Sequence, residues 1–265
     1  MNIREENKMK IVAVTQARTN SSRLPHKVLM EIGGQTILEI HLRRLQNSKL
    51  VNKLIVATTE NKDDDAIAAI AEKINIAVFR GDETDVLDRY YKAVKDENAE
   101  YIVRITSDCP LIDGEIVDET VNFAIENELD YCSNRMEYQY PDGIVIEVFT
   151  FAALETAWNN AKLSSEREHV APFIWKNSTF YGGEKFKSAN YCNIETDYKA
   201  VRLTIDERAD FELLKVLIEK FGIEKSWKIY ADEVLNNSEL QQINSFIDKN
   251  EGYAKSLAED KIISE

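Results

Sequence analysis

Cysteine and long apolar runs are scarce in this chain of 265 residues. The three cysteines, Cys109, Cys132 and Cys192, are too few and too scattered for a disulfide framework or a zinc site. No run of about 18 apolar residues occurs, so the sequence predicts no membrane span. The N-terminal stretch MNIREENKMK lacks the apolar core of a signal peptide. We therefore expect a reducing, cytoplasmic location and no membrane partner.

Positive charge is also in deficit. The chain has 33 Lys and Arg residues against 47 Asp and Glu, which gives a formal net charge of −14. Nucleic-acid binding usually requires a basic face, so no nucleic-acid partner is expected. Any polyanionic ligand of so acidic a chain has to be attracted by a local cluster of cations.

Strand-like and helix-like segments alternate along the chain. Strands are predicted at 11–15, 54–57, 76–79 and 101–105, with helices at 37–45, 64–74, 86–94 and 116–125. This alternation predicts an α/β fold with a Rossmann-like, mostly parallel sheet between helices. Further along, we predict an alternating strand within 140–149, helices at 151–159, 167–176 and 209–221, and a short strand at 201–205. The expected organisation is one domain over 10–235 with an inserted lobe at about 134–190, followed by a helical tail over 236–265.

The loop after the first predicted strand concentrates cations. Residues 17–27 include Arg18, Arg23 and Lys27 among small hydroxyl residues. The loop has neither the Gly-rich run of a Walker A motif nor G-x-G-x-x-G. Ligands of parallel sheets bind beyond the carboxyl ends of the strands, so these cations predict a phosphate site. We expect alanine at Arg18 or Lys27 to change thermal stability little, because exposed loop charges contribute little to folding.

Aspartates follow two other predicted strands. Asp108 lies in RITSDCPLID after the strand at 101–105, and Asp206 follows the segment at 201–205. Such carboxylates can hold Mg²⁺, which keeps several waters and bridges substrate phosphates. Each has a structural alternative, a turn for Asp108 and a helix N-cap for Asp206. Asp210 is expected in the first turn of the helix that follows.

A series of motifs in order resembles the cytidylyltransferases that activate acidic sugars. QARTNSSRLPHKVL is similar to their opening motif, Q-A-R-x-x-S-T/S-R-L-P-G-K, and GGQTILE, GDETDVLDRY, RITSDCPLID, YPDGIVIEVF, EREHV and RLTIDERADF follow. The resemblance covers residues 10–220 and is strongest to the spore coat polysaccharide branch, which is related to the acylneuraminate and 3-deoxy-manno-octulosonate enzymes. Asn20 and His26 depart from the motif, because glycines are usual at these two positions.

The resemblance implies a reaction in which CTP and an acceptor give a CMP-linked product and pyrophosphate. It implies catalytic roles for Arg18, Lys27 and Asp108, and ligation of a Mg²⁺ cofactor by Asp108 and Asp206. The implied nucleotide-binding residues are Gln16, Ala17, Arg18, Ser22, Arg23, Lys27, Arg80, Gly81, Asp85 and Arg104.

On the acceptor side the resemblance implies a set of five residues. Glu147 in the predicted strand and His169 in the predicted helix each have a structural alternative as well. No decisive motif identifies the acceptor, and the candidates are a nonulosonic acid, another acidic sugar, a phosphonate and a phosphorylated small molecule. The implied acceptor-binding residues are Asp142, Gly143, Glu147, Glu166 and His169.

Two other functions stay open at this point. One is a GT-A-type glycosyltransferase that uses a nucleotide sugar, and the other is a non-catalytic nucleotide-binding homologue. Glycosyltransferases of this type often carry Asp-x-Asp after a strand. The only such tripeptide in the predicted core is Asp63–Asp65, which precedes a helix and is expected to cap it.

A homodimer is also expected. The segment 134–150 carries more apolar and aromatic surface than a small lobe can bury by itself, and related enzymes dimerise through such a lobe. The alternative is that these side chains cover the lobe's own helices. They are Met136, Tyr138, Tyr140, Ile144, Ile146 and Val148.

Overall fold

The computed structural model describes residues 9–249 and 251–263. Seven strands in this part of the chain form one sheet, in the order β5-β4-β1-β6-β8-β7-β9, and β2 and β3 form a separate small hairpin. The strands are β1 (Ile11–Gln16), β2 (Glu31–Ile32), β3 (Gln35–Thr36), β4 (Lys53–Thr59), β5 (Ala77–Gly81), β6 (Tyr101–Thr106), β7 (Tyr131–Ser133), β8 (Glu147–Thr150) and β9 (Ser188–Asn190).

The helices flank this sheet. Those predicted at 37–45 and 86–94 are confirmed to the residue, whereas the one predicted at 167–176 is broken at Val170, whose φ is 68°. The helices are α1 (Ile37–Leu45), α2 (Asp65–Lys73), α3 (Val86–Val94), α4 (Gly114–Glu126), α5 (Phe151–Asn160), α6 (Ser164–His169), α7 (Pro172–Lys176), α8 (Arg208–Phe221), α9 (Trp227–Leu235), α10 (Ser238–Asn244) and α11 (Glu251–Ala258). No helix in the described ranges is both long and apolar enough to cross a bilayer.

The predicted α/β fold with a mostly parallel sheet is confirmed. Strands β5, β4, β1 and β6 are parallel, and β8 is antiparallel to both of its neighbours. Alternate side chains of β1 point to opposite faces of the sheet. Ile11 and Ala13 pack in the core that includes α4 and α8, whereas Val12 and Val14 pack in the core that includes α3 and α5. Helices on both faces therefore bury both sides of the strand.

Much of the predicted inserted lobe belongs to the main core. Strand β8 pairs with β6 in the central sheet, and Phe149 and Leu154 pack in the same core as Val12. The strand predicted within 140–149 is limited to residues 147–150, and residues 201–205 form only an isolated bridge between Arg202 and Asp142. The stretch 134–190 is therefore continuous with the central sheet.

Most of the side chains expected to form a dimer surface are buried. Tyr140, Ile144, Ile146 and Val148 pack within the chain's own core. Tyr138 stays accessible, with 53% of its surface exposed. The apolar content of 134–150 therefore reflects packing inside the chain, which was the alternative interpretation.

The topology creates a crevice at the carboxyl ends of β1 and β6. The chain adds β4 and β5 on one side of β1 and then places β6 on its other side. Loops that leave neighbouring strands toward opposite sides open a crevice between them. The cation-rich loop after β1 and the Asp108 turn after β6 face each other there.

His41 connects α1 to this crevice. Its Nδ1–H donates to the Cys109 carbonyl (3.0 Å), and its Nε2 accepts from the Thr15 hydroxyl (3.0 Å). The imidazole is fully buried, and burial lowers its pKa to about 4. His41 therefore stays neutral at physiological pH and fixes the turn that carries Asp108 to β1.

This buried histidine makes stability depend on pH. An exposed histidine has a pKa of about 6.5, so the unfolded chain binds more protons than the folded one between about pH 6.5 and 4. The free energy of unfolding should therefore fall through this range, by up to about 3 kcal/mol for His41 alone. Urea unfolding of wild type and His41→Gln checks this. The variant should be less stable at neutral pH but lose less stability on acidification, and parallel pH curves for both proteins would contradict the assignment.

Candidate active site

A cavity of about 550 Å³ opens at this edge of the sheet. It brings together residues from the β1 loop, the β6 turn, the stretch 131–147, α6 and the segment before α8. Most of the residues predicted for the site line it, namely Gln16, Ala17, Arg18, Ser22, Arg23, Lys27, Arg104, Asp108, Asp142, Gly143, Glu147, His169 and Asp206.

The β1 loop is anchored from below by Asp64. Its carboxylate accepts hydrogen bonds from the Thr19 amide (2.7 Å), the Thr19 hydroxyl (2.8 Å) and the Thr59 hydroxyl. Asp64 occupies the N-cap position of α2 and Asp65 lies in its first turn, as expected for this tripeptide, but the Asp64 side chain makes no cap hydrogen bond. The Asp-x-Asp tripeptide likewise does not reach the cavity, since Asp65 pairs with Arg80.

Lys27 is the centre of the charged cluster. Its Nζ lies 2.8 Å from Asp108 Oδ2, 2.9 Å from Asp206 Oδ1 and 2.7 Å from the Ile205 carbonyl. Burial disfavours the ammonium, but the two aspartates outweigh it and raise the pKa of Lys27. Burial likewise opposes ionisation of Asp108, and Lys27 nevertheless holds its pKa below the usual range. The Lys27 side chain is only 12% exposed, so it is not the exposed loop charge on which the expectation of unchanged stability rested.

Asp206 is shared among three cations. It contacts Lys27, Arg23 (2.9 Å) and Arg202 (2.9 Å). The alternative role as a helix cap was wrong, because Glu207 occupies the N-cap position of α8. Asp210 lies in the first turn of α8 as predicted. A carboxylate held by three cations is fixed at the cavity edge.

Arg202 was missed by the sequence analysis. Its buried guanidinium also binds Asp142 (2.6 Å) and Asp210 (2.9 Å). Arg202 therefore ties the stretch 134–150 to the start of α8 and sets the position of Asp206. Its only sequence signal was its place as the first residue of the RLTIDERADF motif.

The floor of the cavity is an ion pair between neighbouring strands. Arg104 of β6 and Glu147 of β8 are register partners, and their side chains form a hydrogen-bonded pair. The Tyr131 hydroxyl donates to the other Glu147 oxygen at 2.7 Å. Burial raises the pKa of the Tyr131 phenol well above its ordinary value, so this proton stays in place. Glu147 is thus preorganised, with both oxygens occupied.

His169 and Arg18 both line the cavity. His169 Nε2 lies 3.0 Å from the Ser256 hydroxyl, and burial lowers its pKa to about 4, so the imidazole is neutral at physiological pH. Arg18 is 40% exposed and lies 3.7 Å from Glu83. An exposed pair at this distance holds the guanidinium weakly, which leaves Arg18 able to turn toward a ligand.

Four predicted site residues lie outside the cavity lining. The Arg80 guanidinium donates to the Thr59 and Asn61 carbonyls. Gly81 packs so closely against Arg89 that an added Cβ would lie 3.0 Å from its side chain. Arg80 and Gly81 therefore have structural contacts, and we do not propose either as a nucleotide contact.

Asp85 and Glu166 are likewise engaged elsewhere. Asp85 caps α3 by accepting from the Asp88 amide (2.9 Å), and it binds Arg167 at 2.6 Å. Glu166 lies 3.8 Å from Lys176 and is buried. The Asp before a helical apolar run was the sequence signal for a cap at position 85.

His26 adopts the left-handed backbone that its motif position normally assigns to glycine. Its φ is 58° and ψ is 20°, at the start of the 3-10 helix Lys27–Leu29. A non-glycine residue in the left-handed region destabilises the folded chain by about 1–2 kcal/mol. Glycine avoids this penalty, but its greater freedom in the unfolded chain lowers stability by about 0.4–1 kcal/mol. We therefore expect His26→Gly to raise the free energy of unfolding by about 1 kcal/mol in urea titrations. Asn20→Gly is the control, because Asn20 has no positive φ, and it should not stabilise the protein.

The residues present fit a divalent cation with two protein ligands. Among the described residues no group of three or more His, Cys, Asp or Glu side chains is arranged to hold a metal. Asp108 and Asp206 nevertheless converge on one point, now held by Lys27 Nζ. Two carboxylate oxygens completed by phosphate oxygens and water are the ligands that Mg²⁺ prefers. Such a site needs Lys27 to move onto the phosphates.

Comparison with known proteins decides the family. A family model described as cytidylyltransferase matches residues 12–243. The chain belongs to the cytidylyltransferase family. The predicted resemblance, and the CTP-dependent transferase activity that it implied, are thereby confirmed. In this cytidylyltransferase the matched region contains the β1 loop, both aspartates and Arg202.

Individual relatives are similar to this chain over most of their own length. The cytidylyltransferase is 42% identical to the uncharacterized protein MJ1063 of Methanocaldococcus jannaschii, over 91% of this chain and 92% of that one. It is 31% identical to the spore coat polysaccharide biosynthesis protein SpsF of Bacillus subtilis, over 80% and 88%. A solved cytidylyltransferase structure from Leptospira borgpetersenii superposes with a TM-score of 0.82 at 38% identity, covering 88% and 97% of the two chains.

Proposed function

We propose that this cytidylyltransferase transfers CMP from CTP to a small acidic acceptor and releases pyrophosphate. The observation that carries the proposal is the placement of Lys27 between Asp108 and Asp206, at the edge of a cavity large enough for a nucleotide and a second substrate. Pockets of about 300–1,000 Å³ are typical for small ligands. The cations of the β1 loop favour the triphosphate, and the acceptor would occupy the half lined by residues 131–181.

The nucleotide half supplies charge and position. Attack on the α-phosphorus depends on alignment and on stabilisation of developing negative charge more than on covalent help from the protein. Arg18, Arg23 and Lys27 would exchange their carboxylate partners for phosphate oxygens. Burial raises the pKa of the Cys109 thiol well above its ordinary value, so this neighbour of Asp108 is a poor nucleophile. Direct transfer to the acceptor is therefore favoured.

Mg²⁺ is the proposed cofactor, with Asp108 and Asp206 as its protein ligands. Bound there, it would neutralise charge on the phosphates of CTP. Arg202 and Arg23 hold Asp206 in place for this role. The Cys109 thiol donates a long hydrogen bond to Asp108 Oδ1, with an S to O distance of 3.6 Å. The thiol therefore holds this oxygen weakly, which suits Oδ1 to bind a metal ion.

The acceptor half combines positive charge with aromatic surface. Arg135 lines it, with its guanidinium 5.9 Å from the centre of the Tyr138 ring. The rings of Trp175 and Tyr181 also line the cavity and contact each other in a tilted arrangement, with a centroid distance of 5.1 Å. An arginine suits a carboxylate or phosphonate, and aromatic faces suit the apolar side of a sugar ring. These features support an acidic sugar or a related acid as acceptor.

The biological setting follows from the relatives. SpsF is named for spore coat polysaccharide biosynthesis, so we propose a role in making precursors of surface glycans in the cytoplasm. A homodimer stays a prediction. Within the stretch 134–190, the prediction of a dimer is still supported by three exposed aromatic residues, Tyr138, Phe180 and Tyr181. Sedimentation at micromolar concentration checks it, and a monomer alone would contradict it.

The activity is tested by pyrophosphate release. Each of CTP, UTP, ATP and GTP is incubated with Mg²⁺ and a panel of acidic sugars, phosphonates and phosphorylated small molecules. We expect turnover with CTP and at least one acid, and CTP binding by calorimetry. Loss of CTP binding in the presence of Mg²⁺ would overturn the proposal. UDP-sugar hydrolysis that exceeds any CTP-dependent rate would instead indicate a glycosyltransferase, and CTP binding without turnover on any acid would indicate a non-catalytic homologue.

A further inference from the structure

The C-terminal segment, residues 251–263, is fixed at its far end to the first turn of α6 and to the loop before it. Asp260 accepts hydrogen bonds from the Ser164 hydroxyl (3.0 Å), the Ser165 amide (3.0 Å) and the Ser165 hydroxyl (2.8 Å). The Ile263 amide donates to the Lys162 carbonyl at 2.8 Å. A polar helix on the protein exterior would not need these contacts, which hold α11 in one position over α6.

The near end of the segment enters the cavity. Tyr253 lines it together with His169 and Trp175. Its ring meets the His169 ring edge-on at a centroid distance of 5.0 Å and lies 6.2 Å from the Trp175 ring. The Tyr253 hydroxyl is buried and has no hydrogen-bond partner among the described residues. Buried polar groups are almost always paired, so this hydroxyl beside the cavity is available to a polar group of a substrate.

The segment also reaches the nucleotide half. Glu251 lies 3.2 Å from Arg23, the same arginine that binds Asp206. The family match ends at residue 243, so α11 lies beyond the part of the chain that the family shares. The β1 loop and both aspartates lie inside the match. A cavity wall outside the shared region is suited to the substrate that differs among cytidylyltransferases, which is the acceptor.

We infer that the segment 251–263 forms a wall of the acceptor half, and that Tyr253 determines which acceptor is used. Its hydroxyl hydrogen-bonds to a hydroxyl or acid group of the acceptor, and its ring keeps water away from the position of the attacking nucleophile. The acceptor contact rests on the proposed function. The exclusion of water rests only on the use of CTP, which the family membership supports, and not on the identity of the acceptor.

The test measures pyrophosphate release by wild type, Tyr253→Phe, Tyr253→Ala and Leu257→Ala. Leu257 is the matched control, since it is an exposed residue on the same helix. The probes are CTP with Mg²⁺, alone or with 3-deoxy-manno-octulosonate, N-acetylneuraminate or 2-hydroxyethylphosphonate. For Tyr253→Phe we expect the acceptor KM to rise about 5- to 10-fold, with the CTP KM and melting temperature unchanged.

Without an acceptor, Tyr253→Ala should release pyrophosphate from CTP at least about fivefold faster than wild type. In this reaction the oxygen of water bonds to the α-phosphorus as the bond to pyrophosphate breaks, which yields CMP and a proton lost to solvent. Should Tyr253→Ala fold poorly, Asp260→Asn loosens the segment at its other end and carries the same expectation.

The outcomes separate this inference from the proposed function. An unchanged acceptor KM in Tyr253→Phe would overturn the role of Tyr253 in acceptor specificity. An unchanged rate of pyrophosphate release from CTP alone in Tyr253→Ala would overturn the role of the segment as a wall that excludes water. If Leu257→Ala changes these rates as much as the Tyr253 variants do, the segment has only a structural role, and the inference is also overturned. If wild type uses no acid of the panel, the proposed acceptor class is wrong, and the CTP-only rates still decide whether the segment closes the cavity.

Discussion

Lys27→Ala should lower kcat/KM for CMP transfer by about 30- to 1000-fold. This corresponds to about 2–4 kcal/mol, the usual loss for one preorganised group that stabilises transition-state charge. Lys27 is the cation that both aspartates already position at the carboxyl ends of β1 and β6. The rate is measured as pyrophosphate release with CTP, Mg²⁺ and the best acceptor of the panel.

The same variant should also be less stable. Removing Lys27 leaves two carboxylates without their shared partner, and hydrogen bonds to charged groups are worth about 1.5–3 kcal/mol. Arg23 and Arg202 still hold Asp206, so the loss falls mainly on Asp108. Lys49→Ala is the control because that lysine is exposed and outside the cavity lining, and it should change neither rate nor stability. Normal turnover by Lys27→Ala would show that the cations of the β1 loop do not serve the phosphates.

Asp108→Asn should lose activity by a different route. The substitution keeps the shape of the side chain but removes one of two proposed metal ligands. At a Mg²⁺ concentration that saturates wild type, we expect kcat/KM to fall by about 30- to 1000-fold. This corresponds to a loss of about 2–4 kcal/mol of transition-state stabilisation. Part of the loss should return at roughly tenfold higher Mg²⁺, because the weakened site refills by mass action.

A metal-free measurement separates this role from a purely structural one. Without Mg²⁺, calorimetry should show that Asp108→Asn binds CTP at least as tightly as wild type, because one negative charge near the phosphates has gone. Asp197→Asn, at an exposed aspartate outside the cavity, should match wild type in both assays. If Asp108 only shapes a turn, asparagine replaces it without kinetic loss, and the metal assignment is wrong.

The strand-end rule explains why part of the site could be predicted from sequence. Lys27, Asp108 and Asp206 all follow segments that end at one edge of the molecule, so a linear pattern placed them together. The same rule placed Asp85 there, but the direction of its side chain depends on Arg167, which lies far away in sequence. A pattern of strands and helices predicts which edge a residue occupies, and it does not predict which partner the side chain selects.

Long-range partners account for the other misses. Arg202 binds carboxylates in two separate segments, and Asp64 binds one threonine of the β1 loop and another at the end of β4. The segment 251–263 has a polar, charged composition typical of a solvated exterior. Its contacts with the first turn of α6 and with the loop before it become visible only in the folded chain. These residues had ordinary local roles available, so nothing in the sequence favoured the tertiary role.

The short strand β8 has a consequence for the order of folding. It lies between β6 and β7 in the sheet, although β7 precedes it in the chain. Until residues 147–150 dock, the pair β7–β9 has no hydrogen-bonded link to the parallel half formed by β5, β4, β1 and β6. Pairings of high sequence separation form late, because loop closure opposes them. The β1–β6 pairing joins Ile11 to Tyr101, a wider separation in sequence than that between Arg104 and Glu147. The Arg104–Glu147 floor can thus form before β1 joins β6 and completes the crevice. Refolding protein should regain most of its helical content before it can hold both substrates.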